Sequence, residues 1–217
     1  TRRPLTLGRA AIDDLTFQHL PVERALAQGR VRLLIADDVG LGKTLEAGLI
    51  TSELALRGRA DRILVVTTRA MLTQFQKEFW TRFSIPLSRL DSAAIRRMRN
   101  RIPAHYNVFD QFDRSIVSID TLKRDNQIRD ALKHSYWDLI IIDEAHSSQS
   151  GKTSSAVSQV VADSEDEIND ALDERIKKKK LAKNASYFAF TATPKNKTLE
   201  MFGVPYSEAG EVKHRPF

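Results

Sequence analysis

Val31-Arg32-Leu33-Leu34-Ile35-Ala36-Asp37-Asp38-Val39-Gly40-Leu41-Gly42-Lys43-Thr44 decides the fold of this chain. An apolar, β-branched run, Val31 to Ala36, reads as a strand buried on both faces. A glycine-bearing loop follows, and from Lys43 the pattern turns helical as far as Leu56. Gly40 and Gly42 let the backbone curl so that successive N–H groups face one point, and the next helix brings its positive end to that point. Phosphate suits such a cradle. In this geometry Lys43 reaches the β- and γ-phosphates of a nucleotide and the Thr44 hydroxyl ligates Mg²⁺. The general pattern has Gly five residues ahead of Gly42, where this chain has Asp37. Gly151-Lys152-Thr153 repeats the tripeptide without a preceding strand or glycine-rich lead, and reads as a loop or helix start.

Working outward, similar apolar runs recur at Ile63 to Thr67, Ser115 to Ile119, Leu139 to Ile142 and Tyr187 to Phe190. Helical stretches are expected at Leu20 to Ala27, Met71 to Phe83, Ser92 to Arg101, Thr121 to His134, Thr153 to Ala162 and Glu165 to Ala182. Strands alternating with helices imply right-handed crossovers and an α/β fold: a mostly parallel, doubly wound sheet with helices on both faces. Ligands of such sheets bind beyond the carboxyl ends of the strands. At that end of the fourth run stand Asp143 and Glu144. Asp143 is placed to hold magnesium, directly or through water. Glu144 is then left to orient and deprotonate an attacking water.

The bulk numbers set bounds. A chain of 217 residues with 41% hydrophobic content supports one domain with some decoration. Its lack of cysteine excludes disulfides, thiolate zinc sites and a cysteine nucleophile, leaving oxygen or imidazole for any metal. No run approaches the roughly 18 apolar residues of a membrane span, and no apolar signal stretch follows Thr1-Arg2-Arg3-Pro4. The expectation is a cytoplasmic protein with no membrane partner. A net charge of +6 and a pI near 9.6 are compatible with a polyanionic partner and with an ordinary basic protein. Asp163 to Lys180 runs from acidic to basic, which suits the macrodipole of a solvated helix, the alternative being a lysine cluster on DNA. The chain opens without Met and closes on a Gly/Pro-containing tail at Phe217, reading as a piece of something longer.

Asp143-Glu144-Ala145-His146, together with the phosphate loop, resembles the DEAH-type proteins of helicase superfamily 2, and the other boxes of that superfamily's first lobe occur in order. Gln18 resembles an adenine-reading glutamine. Ile63 to Phe79 resembles motif Ia, with Thr68 where proline is common. Ser118 to Leu122 resembles the next DNA-side motif, and Thr191-Ala192-Thr193-Pro194 resembles motif III. Residues 1 to 146 are similar to Swi/Snf-type ATPases of the bacterial RapA/HepA group, in which Asp at the place of Asp37 is usual. Asp143 to Gly151, Phe188 to Gly203 and Arg215-Pro216-Phe217 are similar to motor subunits of type I restriction enzymes.

The resemblance implies a RecA-like P-loop lobe over residues 31–203, an N-terminal segment over 1–30 and a linker over 204–217 leading to a second lobe. It implies ATP and Mg²⁺ as cofactors, with nucleotide contacts from Gln18, Asp37, Asp38, Val39, Gly40, Leu41, Gly42, Lys43, Thr44 and Leu45. Lys43, Asp143 and Glu144 are the expected catalytic groups, and Thr44 and Asp143 the metal ligands. His146, Thr191 and Thr193 would couple hydrolysis to movement of the second lobe, whose arginine finger this chain does not show. Arg69, Thr121 and Lys123 would touch double-stranded DNA. The helix carrying Arg96, Arg97, Arg99 and Arg101 is either a further phosphate contact or an exposed basic face. Other restriction or defence subunits are possible partners. The implied function is the ATP-binding lobe of a DNA-dependent ATPase, a double-stranded DNA translocase in restriction or phage defence. A nucleotide-gated binding module without turnover is the alternative, and an RNA helicase is a third reading.

Overall fold

The computed structural model describes residues 19–35, 42–143, 185–190, 199, 204–208 and 211–215. Among the described residues eight strands run in chain order: β1 (Arg32–Ile35), β2 (Ile63–Thr67), β3 (Ser88–Arg89), β4 (Arg114–Ser118), β5 (Leu139–Ile142), β6 (Ser186–Phe190), β7 (Val204–Glu208) and β8 (Glu211–Arg215). The helices are α1 (His19–Ala27), α2 (Lys43–Leu56), α3 (Leu72–Phe83), α4 (Ser92–Arg99), α5 (Ile119–Arg124) and α6 (Asn126–Lys133), with a 3-10 turn at Val108–Gln111. The first six strands form one sheet in the order β1-β6-β5-β2-β4-β3, and every pairing in it is parallel.

Alternation along each strand divides the interior in two. Leu33, Ile35, Ile63, Val65, Ile116, Leu139, Ile141, Phe188 and Phe190 face one cluster, closed by Val22 of α1, Leu49 and Leu54 of α2, and Phe75 and Phe79 of α3. The intervening residues, among them Leu34, Leu64, Val66, Val117, Ile140, Ile142 and Tyr187, face the other, closed by Ile95, Leu122, Ile128 and Leu132. A period of two with both faces buried explains why these strands read as unbroken apolar runs. The topology explains the partition of helices. The chain moves outward from β1 through β2 to β3 with α2 and α3 on one face. It then returns toward β5 with α4, α5 and α6 on the other, as right-handed crossovers require when direction reverses.

Several expected elements differ in extent. The single helix expected over Thr121 to His134 is two, because Asp125 adopts an extended conformation (φ −124, ψ 103) and its side chain accepts the Ile128 amide at 3.1 Å. Asp at such a position competes with the helical ladder and caps the next helix instead. Helix α4 stops at Arg99, two residues early, with Asn100 as its C-cap. Strand β3 and the β7-β8 antiparallel hairpin carry no apolar run, and the hairpin occupies residues expected to form a linker.

At the amino edge of the sheet, Arg62 and Asp138 tie the strand starts together. The Asp138 carboxylate accepts the amides of Asp61 and Arg62 at 3.1 and 2.8 Å. Arg62 donates to the carbonyls of Tyr136 and Phe109 at 2.9 and 3.0 Å and lies 5.2 Å from the Trp137 ring centroid. The Tyr136 hydroxyl donates to Asp138 at 2.7 Å, and that bond raises its pKa above the usual phenol value. This end of the sheet is braced by side chains, which leaves the opposite edge to carry ligands. Among the described residues no helix is long and apolar enough to cross a membrane.

Candidate functional site

The carboxyl ends of five strands lie abreast. Ile35 pairs with Phe190, Ala189 with Ile142, Ile142 with Val66, and Thr67 with Ser118. The segments that begin after Ile35, Ile142 and Phe190 therefore start on one edge, side by side. Those segments carry the residues expected to form the phosphate loop, the expected pair of carboxylates and Thr191-Ala192-Thr193-Pro194.

Helix α2 opens on Gly42, whose φ of 88 and ψ of 32 lie in the left-handed region. Any side chain there would be strained, so glycine fits the position by its backbone alone. The Gly42 carbonyl accepts the amides of Leu45 at 2.7 Å and Glu46 at 3.1 Å, which starts the helical ladder. Lys43, Thr44 and Leu45 occupy the first turn and are half-buried. That turn carries the positive end of a 14-residue helix, a position suited to an anion. Asp37, Asp38, Val39, Gly40 and Leu41 lie outside the described residues.

Across the edge, Asp143 directly follows β5. It is 6% exposed, its amide donates to the Val66 carbonyl at 2.9 Å, and its Oδ2 accepts the Thr67 hydroxyl at 2.7 Å. Thr67 is fully buried. A buried hydroxyl needs a partner, and here the partner is the carboxylate expected to hold the metal. The sequence places Thr67 at the end of a strand and within the stretch resembling motif Ia, with no role of its own. The two residues are 76 positions apart and meet because β2 and β5 are neighbours. The one sequence signal was a polar side chain at the carboxyl end of an apolar run. Glu144, His146, Thr191, Thr193 and Gln18 lie outside the described residues.

On the other side of β2, the expected DNA contacts gather around the ends of β2 and β4. Arg69 is exposed in the turn after β2. Ser118 caps α5 by accepting the Thr121 amide at 3.1 Å, and its hydroxyl lies 3.0 Å from that of Thr121, which fixes this side chain in place. Lys123, two residues on, is exposed. The helices that follow β2 and β4 pack on opposite faces, the arrangement beside which ligands of open α/β sheets generally bind. The arginines of α4 lie elsewhere. That helix packs against the 3-10 turn feeding the amino end of β4. Arg96, Arg97, Arg99 and Arg101 are exposed on this flank, and Arg99 donates to Gln127 at 3.0 Å.

A family model described as "Type III restriction enzyme, res subunit" matches residues 9–196. RNA polymerase-associated protein RapA of Yersinia pestis is 38% identical over 115 residues, 53% of this chain and 12% of that protein. RapA of Yersinia pseudotuberculosis gives the same figures, 38% over 115 residues, 53% and 12%. The chain thus corresponds to about an eighth of the length of these relatives. A solved structure of the Sulfolobus solfataricus SWI2/SNF2 ATPase core in complex with dsDNA superposes with a TM-score of 0.60. The identity is 21%, covering 88% of this chain and 34% of that one. The same core domain in a second structure gives a TM-score of 0.54 at 17% identity, covering 91% and 34%. At these identities the structural likeness speaks for the fold.

Proposed function

Because the chain belongs to the family described as type III restriction enzyme, res subunit, and is a first lobe of the superfamily 2 helicase-like ATPases, we propose that it binds ATP with Mg²⁺ and hydrolyses it to drive movement along double-stranded DNA. The observation that carries this reading is the buried Asp143 carboxylate. It is held by Thr67 at the edge where β1, β6 and β5 end together.

The donor set fits a hard divalent cation, since Asp143 offers a carboxylate oxygen and Thr44 a hydroxyl. The ion, when bound, neutralises charge on the β- and γ-phosphates. The chain's own residues do the rest. Lys43 and the first-turn amides of α2 bind and orient the terminal phosphates, with Asp37, Asp38, Val39, Gly40, Leu41 and Leu45 completing the cradle and Gln18 reading adenine. Glu144 takes the proton from the attacking water. His146, Thr191 and Thr193 relay the change at the γ-phosphate to a second lobe, and Arg69, Thr121 and Lys123 hold the duplex backbone. Residues 31–203 form the lobe in this reading, and the biological setting is restriction or defence against phage.

The deciding experiment measures ATP turnover with duplex DNA, with RNA, and with neither, in the presence of a second lobe supplied in trans. Stimulation by duplex DNA is expected. Turnover stimulated by RNA alone would point to an RNA helicase. ATP-dependent DNA affinity with no turnover in any condition would point to a nucleotide-gated binding module.

A further inference from the structure

We infer that Thr67 is a positioning residue for the carboxylate proposed to bind the metal: its hydroxyl holds Asp143 Oδ2 and so sets the plane in which that carboxylate would meet the cation. The inference rests on the reading of Asp143 as a magnesium ligand. Three observations carry it. The bond is short, 2.7 Å from Thr67 Oγ1 to Asp143 Oδ2. Both ends are fixed, because Thr67 is the last residue of β2 in register with Ser118, and the Asp143 amide is bonded to the Val66 carbonyl. Both groups are buried, Thr67 at 0% and Asp143 at 6% exposure, so water competes poorly for either.

The physical consequence is a fixed carboxylate plane. A free aspartate rotates about its side-chain torsions and presents either oxygen to a cation. Here one oxygen accepts a hydroxyl donor and the carboxylate plane is set before the nucleotide arrives. Outer partners of this kind orient metal ligands, and their loss costs about 10- to 100-fold in metal affinity. Thr67 touches neither nucleotide nor reacting atoms. Its effect should appear in metal binding and leave contacts to the phosphates alone. Valine in its place would keep the shape and the β-branching, and delete the donor.

The test is Mn²⁺ binding to the intact chain loaded with ATP, followed by titration and by the Mn²⁺ EPR line shape, in Thr67→Val, Thr67→Ser and Asp143→Asn. Metal-free ATP affinity and the thermal midpoint are measured alongside. Thr67→Val should weaken Mn²⁺ binding about tenfold or more, broaden the EPR lines and leave metal-free ATP affinity unchanged. Thr67→Ser, which keeps the hydroxyl, should restore both metal signals. Should Thr67→Val fold too poorly to measure, a folded Thr67→Ser with impaired Mn²⁺ binding overturns the inference, and one with native Mn²⁺ binding supports it. Unchanged Mn²⁺ binding in Thr67→Val beside a loss in Asp143→Asn overturns the role of Thr67 alone. Unchanged binding in Asp143→Asn overturns the ligand reading and this inference with it.

Discussion

Replacing Gly48 by alanine should destabilise the chain for one specific reason, a collision with Phe83. A Cβ built on Gly48 would lie 2.0 Å from Phe83 Cε2 and 2.4 Å from Cδ2 and Cζ. The ring would have to retreat by about 1.4 Å merely to reach the 3.4 Å of ordinary contact. It cannot move inward, because it stands edge-on to Phe79 at 6.1 Å between centroids, and Phe79 in turn packs on Phe75 at 5.0 Å. Phe75 and Phe79 are both buried. Phe83 must therefore swing toward solvent, and overpacking of this kind costs about 1–3 kcal/mol. Against it stands the gain of about 1 kcal/mol for alanine over glycine inside a helix. The collision should win by about 1 kcal/mol. In a Phe83→Ala background the obstacle is gone, only the helix term remains, and Gly48→Ala should become stabilising. Urea unfolding of the four proteins reads both signs from the midpoint at constant slope. ATP affinity provides the second readout, because Lys43 and Thr44 sit on the same helix. It should stay native if the ring alone yields. A Gly48→Ala chain that is more stable in both backgrounds would refute the argument.

Further outcomes follow from the site. Lys43→Ala should abolish ATP binding by calorimetry while circular dichroism and thermal midpoint stay native, since the residue is half-buried in the first turn of α2 and its charge serves the ligand. Glu144→Gln should keep ATP-Mg²⁺ affinity and lower turnover by about 10²-fold or more, whereas Asp143→Asn should shift the magnesium dependence, and identical magnesium titrations would erase this division of labour. Replacing Arg96, Arg97 and Arg99 together by Gln should leave the slope of log DNA affinity against log salt unchanged, because α4 packs against the 3-10 turn that feeds the amino end of β4. A flattened slope would instead make the helix a phosphate contact. Arg62→Met should cost about 1–3 kcal/mol by urea unfolding, as two backbone carbonyls lose their donor, with nucleotide affinity unchanged at the far edge.

The parts legible in the sequence are those written in local patterns. Helix α2 spans Lys43–Leu56 as expected, because a left-handed glycine starts it and the turn at Arg57-Gly58 ends it. Strands β2 and β5 have the expected bounds, Ile63–Thr67 and Leu139–Ile142, since burial on both faces leaves only apolar side chains along most of their length. What stayed illegible depends on distant partners. Strand β3 has two residues, too few for any periodicity, and exists only by pairing with β4. The break at Asp125 rests on a side chain choosing an amide three residues on, which composition does not fix. Strand order is absent from local pattern altogether, so the bond from Thr67 to Asp143 could not be read before the sheet placed β2 beside β5.

That adjacency bears on how such a lobe could connect its two tasks. The proposed nucleotide contacts issue from β1, β6 and β5, and the proposed DNA contacts from β2 and β4. The boundary between the groups is the single pairing of β5 with β2, and Thr67 and Asp143 bridge it at the carboxyl edge. Two residues along the chain from Thr67 stands Arg69. A central parallel sheet packed on both faces is a poor transmitter by bending, because close-packed interiors resist continuous deformation. If binding at Arg69 is to alter the metal site, a route that moves no strand runs along the edge, through the turn at Thr68 and the hydroxyl of Thr67. A lobe built this way can change the aim of one carboxylate without moving a strand. Loss of the hydroxyl in Thr67→Val should then uncouple the sites, so that duplex DNA no longer changes the Mn²⁺ affinity of the ATP-loaded protein while DNA affinity itself is retained. A DNA-induced change in Mn²⁺ affinity that persists at full size in Thr67→Val would show that the two sites communicate by another route.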